Sequence, residues 1–143
     1  RQRAPGPRFM EWGCGVGTVT CLAAMLGMDA IGVEIEPDLV AESAELACEH
    51  DCDAQFVAAS FLPAGTEDLA DRQADIAWLR SDGADAYELL DLEPDDIDLV
   101  FAYPWPGEEY LLFDVFARCA ANGALLLTFH GQDGLRLHRN LSR

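Results

Sequence analysis

The residues able to do chemistry are concentrated in one short run, Glu11, Trp12, Gly13, Cys14, Gly15, Val16, Gly17 and Thr18, which joins a strand-like segment to a helical one. Glycines there let the backbone turn sharply and approach a ligand with no Cβ in the way, and the free N–H groups of a helix start favour a negative group. A nucleotide-type cofactor is the natural occupant, although such a turn alone is also compatible with a tight turn and nothing more. A second feature is Glu34, which closes the run Ile31, Gly32, Val33, Glu34. It lies about twenty residues beyond the first glycine, where a carboxylate accepts hydrogen bonds from ribose hydroxyls in doubly wound folds. The plain alternative is a solvated charge before a turn, of which Glu36 and Asp38 are neighbouring instances. Spacing bears on the cofactor. A dinucleotide fingerprint puts its third glycine at position 18, where Thr18 stands, whereas here the third glycine is Gly17. A NAD-type oxidoreductase is therefore disfavoured.

The elements that must position these residues alternate between short β-like runs and helical stretches, the pattern of an α/β protein with a parallel sheet. Strands are expected over Arg8 to Trp12, Ala30 to Glu34, Ala54 to Ala59, Ile97 to Ala102 and Ala124 to Phe129. Helices are expected from Gly17 to Leu26, where Val19, Leu22, Ala23 and Leu26 share a face, from Asp38 to Glu49 after Pro37, and from Glu108 to Ala121. Between Phe61 and Asp96 the pattern is looser, with a helical turn at Thr66 to Leu69, a strand or helix segment at Ile76 to Leu79, and a helix at Ala84 to Leu90. The run Leu135 to Leu137 is a weak strand signal.

The GxGxG spacing preceded by Glu11 resembles the first motif of class I S-adenosylmethionine (SAM) dependent methyltransferases, and Glu34, Ile35, Glu36, Pro37 resembles the ribose-binding segment that follows it. The resemblance runs from Phe9 to Phe129 in element order and identifies a superfamily without a member. It implies a Rossmann-like three-layer sandwich with a mostly parallel central sheet, S-adenosyl-L-methionine as cofactor, and methyl transfer to an acceptor. It places Glu11, Trp12, Gly13, Cys14, Gly15, Gly17 and Thr18 around the methionine part of the cofactor, with Glu34 and Ile35 at the ribose. At the end of strand three, Ser60 offers a hydrogen bond and Phe61 a face for adenine, in place of the carboxylate usual there; ordinary core packing is the other role open to Phe61.

Ala102 ends strand four, the end that faces the reactive methyl in this fold. Amino-group methyltransferases often carry Asn or Asp followed by prolines and an aromatic at that point; here Ala102 and Tyr103 stand in the first two places, so the polar group is missing. The string Pro104, Trp105, Pro106 looks like a fragment of the transfer-RNA guanine-N7 methyltransferase motif, without its aspartate and basic residues. Methyl transfer is an in-line displacement, so proximity and alignment do most of the work, and a base is needed only if the nucleophile must lose a proton. Tyr103 and Trp105 are the candidates for the acceptor pocket, and Glu108, Glu109 and His130 are candidate proton acceptors. The family's sheet usually has seven strands; five are identifiable here, with strands six and seven missing or truncated. A non-catalytic SAM-binding module is the competing expectation.

Composition narrows the remaining classes. The 143 residues suffice for one domain with one core. The expected division is a basic segment over 1–8, a SAM-binding core over 9–130 and a basic segment over 131–143. The chain opens at Arg1 without a methionine and ends shortly after its last strand, which leaves open whether it is a fragment of a longer protein. The net charge is −17, from 26 acids against 9 bases, and every base is arginine. A field of that sign repels phosphate backbones, which favours a small-molecule or protein acceptor over nucleic acid, though the arginine-bearing ends oppose this. No apolar run reaches the roughly 18 residues of a membrane span. Five cysteines without a CxxC pair fit free thiols in the cytoplasm. Cys48, His50 and Cys52 fall short of the roughly four ligands that zinc takes, so no metal is expected.

Overall fold

The computed structural model describes residues 7–72 and 83–141. Strands β1 (Arg8–Trp12), β2 (Asp29–Glu34), β3 (Ala54–Ala58), β4 (Leu99–Ala102), β5 (Leu125–Phe129) and β6 (Leu135–Arg139) form one sheet in the order β3-β2-β1-β4-β5-β6. All neighbours pair in parallel except β5 and β6. The helices are α1 (Thr18–Met25), α2 (Pro37–Glu49), α3 (Glu67–Asp71), α4 (Ala86–Leu90) and α5 (Glu109–Cys119). The Ile76 to Leu79 segment expected from the sequence lies outside the described residues. Element ends otherwise differ from the expected ones by one or two residues, the usual fraying of boundaries.

Alternation along each strand builds the two faces. Met10, Trp12, Ile31, Val33, Val100, Ala102 and Leu126 pack with Ala86 and Tyr87 of α4 and with Leu111, Leu112, Val115 and Phe116 of α5. The intervening Phe9, Ala30 and Phe101 pack with Ala23 of α1. Parallel strands covered on both faces read as continuous apolar runs, and inside their charged end residues Arg8, Asp29 and Glu34 the strands β1, β2 and β4 do so except at Glu11 and Gly32. Both exceptions fall on the α1 face. At the far edge of α5, Arg118 donates to Asp68 at 2.6 and 3.1 Å, tying α5 to α3 and holding the Asp68 carboxyl below its ordinary range.

The strand count needs correction, because the 131–143 segment contributes β6 to the sheet. Leu135 and Leu137 are exposed, so the strand shows no buried apolar face in sequence. What holds it is backbone pairing: a short turn at Gly131–Asp133 closes with His130 N donating to Gly134 O at 2.8 Å. Beyond the strand, buried Asn140 donates from Nδ2 to Ala120 O at 2.7 Å and from its backbone N to Ala124 O at 2.8 Å.

Gly32 shows how tightly the α1 face is filled. A Cβ built there would lie 2.7 Å from Phe56 Cδ1 and 2.9 Å from Cys14 Sγ. Gly32→Ala is expected to lower stability by about 1–3 kcal/mol through overpacking. Urea melts check this, and a midpoint equal to that of the natural chain contradicts the packing.

Candidate functional site

Strand order reverses between β1 and β4, since the chain leaves β1 for β2 on one side and returns to β4 on the other. At such a switch point the connections diverge and leave a crevice beyond the carboxyl ends of the strands, where open α/β sheets bind ligands. Here the crevice opens above Trp12 and Ala102, which pair across β1 and β4. Of the expected site residues, Trp12, Gly13, Glu34, Ile35, Ser60, Phe61, Ala102, Tyr103 and Trp105 line one cleft there. Glu11, Cys14, Gly15, Gly17 and Thr18 do not line it; they build the turn beside it.

The turn needs its glycines. Gly13, Gly15 and Gly17 have φ of 71°, 55° and 78°, the left-handed region that side chains rarely adopt. At Gly17 there is also no room, because an added Cβ would meet the Phe56 ring at 2.6 Å. At Gly13 and Gly15 an added Cβ would meet nothing within 4 Å, so the backbone there borders open space.

Gly17 also stands at the N-cap of α1 without a side chain to cap it. Glu11, reaching from β1, supplies the cap instead, with its Oε2 accepting Thr20 N–H at 2.9 Å and Thr20 Oγ1–H at 2.6 Å. Glu11 is only 5% exposed, and burial pushes its carboxyl from 4.5 up to about 7 against the opposing effect of the two Thr20 bonds. Cys14 is buried by the same packing, and desolvation pushes its thiol up to about 12, so it is no thiolate at neutral pH.

Glu34 stands at the other wall. Its Oε2 accepts Gly15 N–H at 2.9 Å and its Oε1 accepts Glu36 N–H at 3.1 Å. A carboxylate has about four acceptor sites, so capacity remains for a ligand's hydroxyls. Opposite, Trp12 and Phe61 stack with centroids 5.1 Å apart and planes 8° from parallel. Trp12 Nε1 donates to the buried Tyr87 hydroxyl at 3.1 Å, which fixes the indole, and burial raises the phenol's pKa. Phe61 thus packs on the core and lines the cleft at once. Ser60 is held by backbone bonds to residues 84 and 86, and its Oγ accepts Leu62 N–H at 3.2 Å.

The acceptor end is built by the loop from β4 to α5. Glu108 also lines the cleft and is buried; its Oε2 accepts Trp105 N–H at 3.0 Å, and desolvation raises its carboxyl above the ordinary range. His130 and Glu109 sit apart from the cleft lining, with His130 Nε2 2.8 Å from Thr128 Oγ1 and Nδ1 3.5 Å from Glu109 Oε1. Sequence reasoning missed Thr20, Gly83 and Tyr87. Thr20 carries only a helix-interior signal, while at Gly83 an added Cβ would lie 3.1 Å from Ile35 Cδ1, and Tyr87 meets Trp12 solely through the tertiary fold.

Comparison with known proteins bears on the fold. No family model matches the chain. Over 66 residues, 46% of the chain, it is 36% identical to the ribosomal protein L11 methyltransferase of Ralstonia pickettii (strain 12J), and the match spans 22% of that protein. An RNA methyltransferase from Salinibacter ruber in complex with S-adenosyl-L-homocysteine superimposes with a TM-score of 0.58 at 18% identity, covering 85% of this chain and 63% of that one. The geranyl diphosphate C-methyltransferase of Streptomyces coelicolor A3(2), bound to Mg2+, geranyl diphosphate and S-adenosyl-L-homocysteine, gives 0.59 at 14%, covering 89% and 40%. The chain therefore spans less than two thirds of each of these proteins.

The pH behaviour of Glu11 tests the clamp. Its folded pKa lies above the ordinary 4.5, so its contribution to stability is complete below 4.5 and is lost as pH rises through about 7. Glu11→Gln keeps an acceptor for Thr20 but has no proton to lose. Relative to the variant, the natural chain should lose on the order of 3 kcal/mol across that window, at 1.36 kcal/mol per unit. Urea melts at a series of pH values check this, and stability curves that stay parallel overturn it. The sheet order and the cleft at its switch point give the chain the Rossmann-like fold of these methyltransferases, and over 66 residues its sequence is similar to one of them.

Proposed function

We propose that the chain binds S-adenosyl-L-methionine in the cleft at the β1/β4 switch point and transfers its methyl group to a small-molecule or protein acceptor. The observation that carries this reading is the joining of the glycine turn to Glu34, whose carboxylate accepts Gly15 N–H at the edge of the cleft. The residues fit that cofactor. Glu34 has acceptor capacity for the ribose hydroxyls, Ser60, Phe61 and Ile35 wall an adenine position, and the open backbone at Gly13 and Gly15 admits the methionine part. When bound, the cofactor supplies an activated methyl group. The protein's part is to hold an acceptor in line with it and to exclude water, and Ala102, Tyr103 and Trp105 stand where that acceptor would lie.

The L11 methyltransferase match is consistent with a protein acceptor, and the net charge of −17 disfavours an RNA one. Among the described residues no helix is long and apolar enough to cross a membrane, and all five cysteines are free, which suits a cytoplasmic protein.

Calorimetric titration with SAM, S-adenosylhomocysteine and NAD tests the assignment. Both sulfur ligands should bind and NAD should not. Glu34→Ala should weaken binding at least about tenfold, the equivalent of one or two charge-assisted hydrogen bonds. A folded chain that binds neither sulfur ligand overturns the reading. Tight cofactor binding without methyl transfer to any of a panel of acceptors would instead favour a binding module.

A further inference from the structure

We propose that the part of the cleft formed by Tyr103, Trp105 and Glu108 recognises a positively charged amine on the methyl acceptor, an inference that rests on reading the cleft as a methyl-transfer site. All three residues line the cleft. Tyr103 is 54% and Trp105 58% exposed, an unusual situation for two large aromatic rings separated by a single residue, and the intervening Pro104 is buried and holds the loop to the core. Tyr103 is further braced by Phe129, with ring centroids 5.3 Å apart.

Glu108 shares the cleft wall with these rings and is only 7% exposed. Its Oε2 accepts Trp105 N–H, and among the described residues no other hydrogen bond to its side chain is recorded, so Oε1 remains for a donor from a ligand. Nor do the described residues supply Glu108 with a cation: the recorded ion pairs involve Asp29, Asp68 and Glu109, and the chain contains no lysine. A buried carboxylate without a cation is costly, and one that opens onto a cleft is relieved by a cationic ligand. Exposed aromatic faces attract the same group, because their quadrupoles are negative over the ring. Closing the loop onto Trp105 N–H accounts for Oε2 alone; it does not account for the carboxylate's place in the cleft wall beside Tyr103 and Trp105. The chain's net negative charge adds attraction for such an acceptor at long range.

The probes that separate charge from shape are 2-phenylethylamine, cationic at neutral pH, and 2-phenylethanol, its neutral counterpart. Each is titrated into the full chain, followed by the indole N–H signals in nitrogen-15 spectra, at an ionic strength that screens the net charge. The titrations are repeated with S-adenosylhomocysteine at saturation. The amine should bind at least about tenfold more tightly than the alcohol, both with and without the cofactor product. Glu108→Gln should remove most of that preference, while the exposed Glu49→Gln should leave it intact. Trp105→Ala, at a position that is 58% exposed, should weaken the amine and serves if the Glu108 variant does not fold. Equal binding of amine and alcohol overturns the proposal, as does an amine preference that survives Glu108→Gln. Displacement of the amine by S-adenosylhomocysteine also overturns it, since the subsite would then belong to the cofactor. A chain that prefers the amine in this way but fails to bind S-adenosylhomocysteine would sink the cofactor assignment and leave the cation site standing.

Discussion

Helix α1 starts at a glycine, and a helix that starts at a glycine leaves its first N–H groups without a side chain to meet them. The bond from Thr20 N to Glu11 Oε2 resolves this by bringing the cap from the strand before the turn. Because both ends of the Gly13–Gly17 turn are then fixed to each other, the turn keeps its three left-handed glycines, and Gly15 N is presented to Glu34 on the next strand. Strand β1, helix α1 and strand β2 are thereby joined through two carboxylates at one end of the sheet. The cleft wall follows from that arrangement, since Trp12 and Glu34 can only point where the register of β1 with β2 sends them.

That arrangement also explains which residues were readable in the sequence. The turn glycines and Glu34 are tied to strand ends, and a strand end fixes both position and direction, so their spacing pointed to the end of the sheet at which the cleft opens. Glu11 was legible as part of the motif but not as the cap of α1. It sits buried on the α1 face beneath the turn, whereas Trp12, one residue on, faces the cleft. Period-two alternation makes that distinction, but it becomes decisive only once the position of α1 is known.

Other features were illegible for reasons that are equally physical. Strand β6 exposes both of its leucines, so its stability comes from backbone bonds and from Asn140 rather than from an apolar face, and hydrophobic patterning reports only the latter. The pairing of Ser60 with the segment around residue 85 joins positions 25 residues apart, and the Trp12–Tyr87 bond joins positions 75 apart. Contacts of that range are set by the fold as a whole and leave no local trace in composition or spacing.

The end of β4 shows why the missing polar residue at positions 102 and 103 does not leave the cleft without one. Ala102 brings the chain tightly against β1, and the Tyr103 to Gly107 loop then turns into α5 with Glu108 at its start. The carboxylate of Glu108 therefore returns to the same cleft that a side chain at position 102 would have reached directly. A polar group supplied from a helix start sits deeper and is flanked by the loop's aromatic rings. Its burial favours a partner that brings compensating charge, while a carboxamide at the strand end would suit a neutral one. On the proposed reading of the cleft, the departure from the pattern at Ala102 and Tyr103 changes the kind of acceptor it would suit and does not by itself argue against methyl transfer.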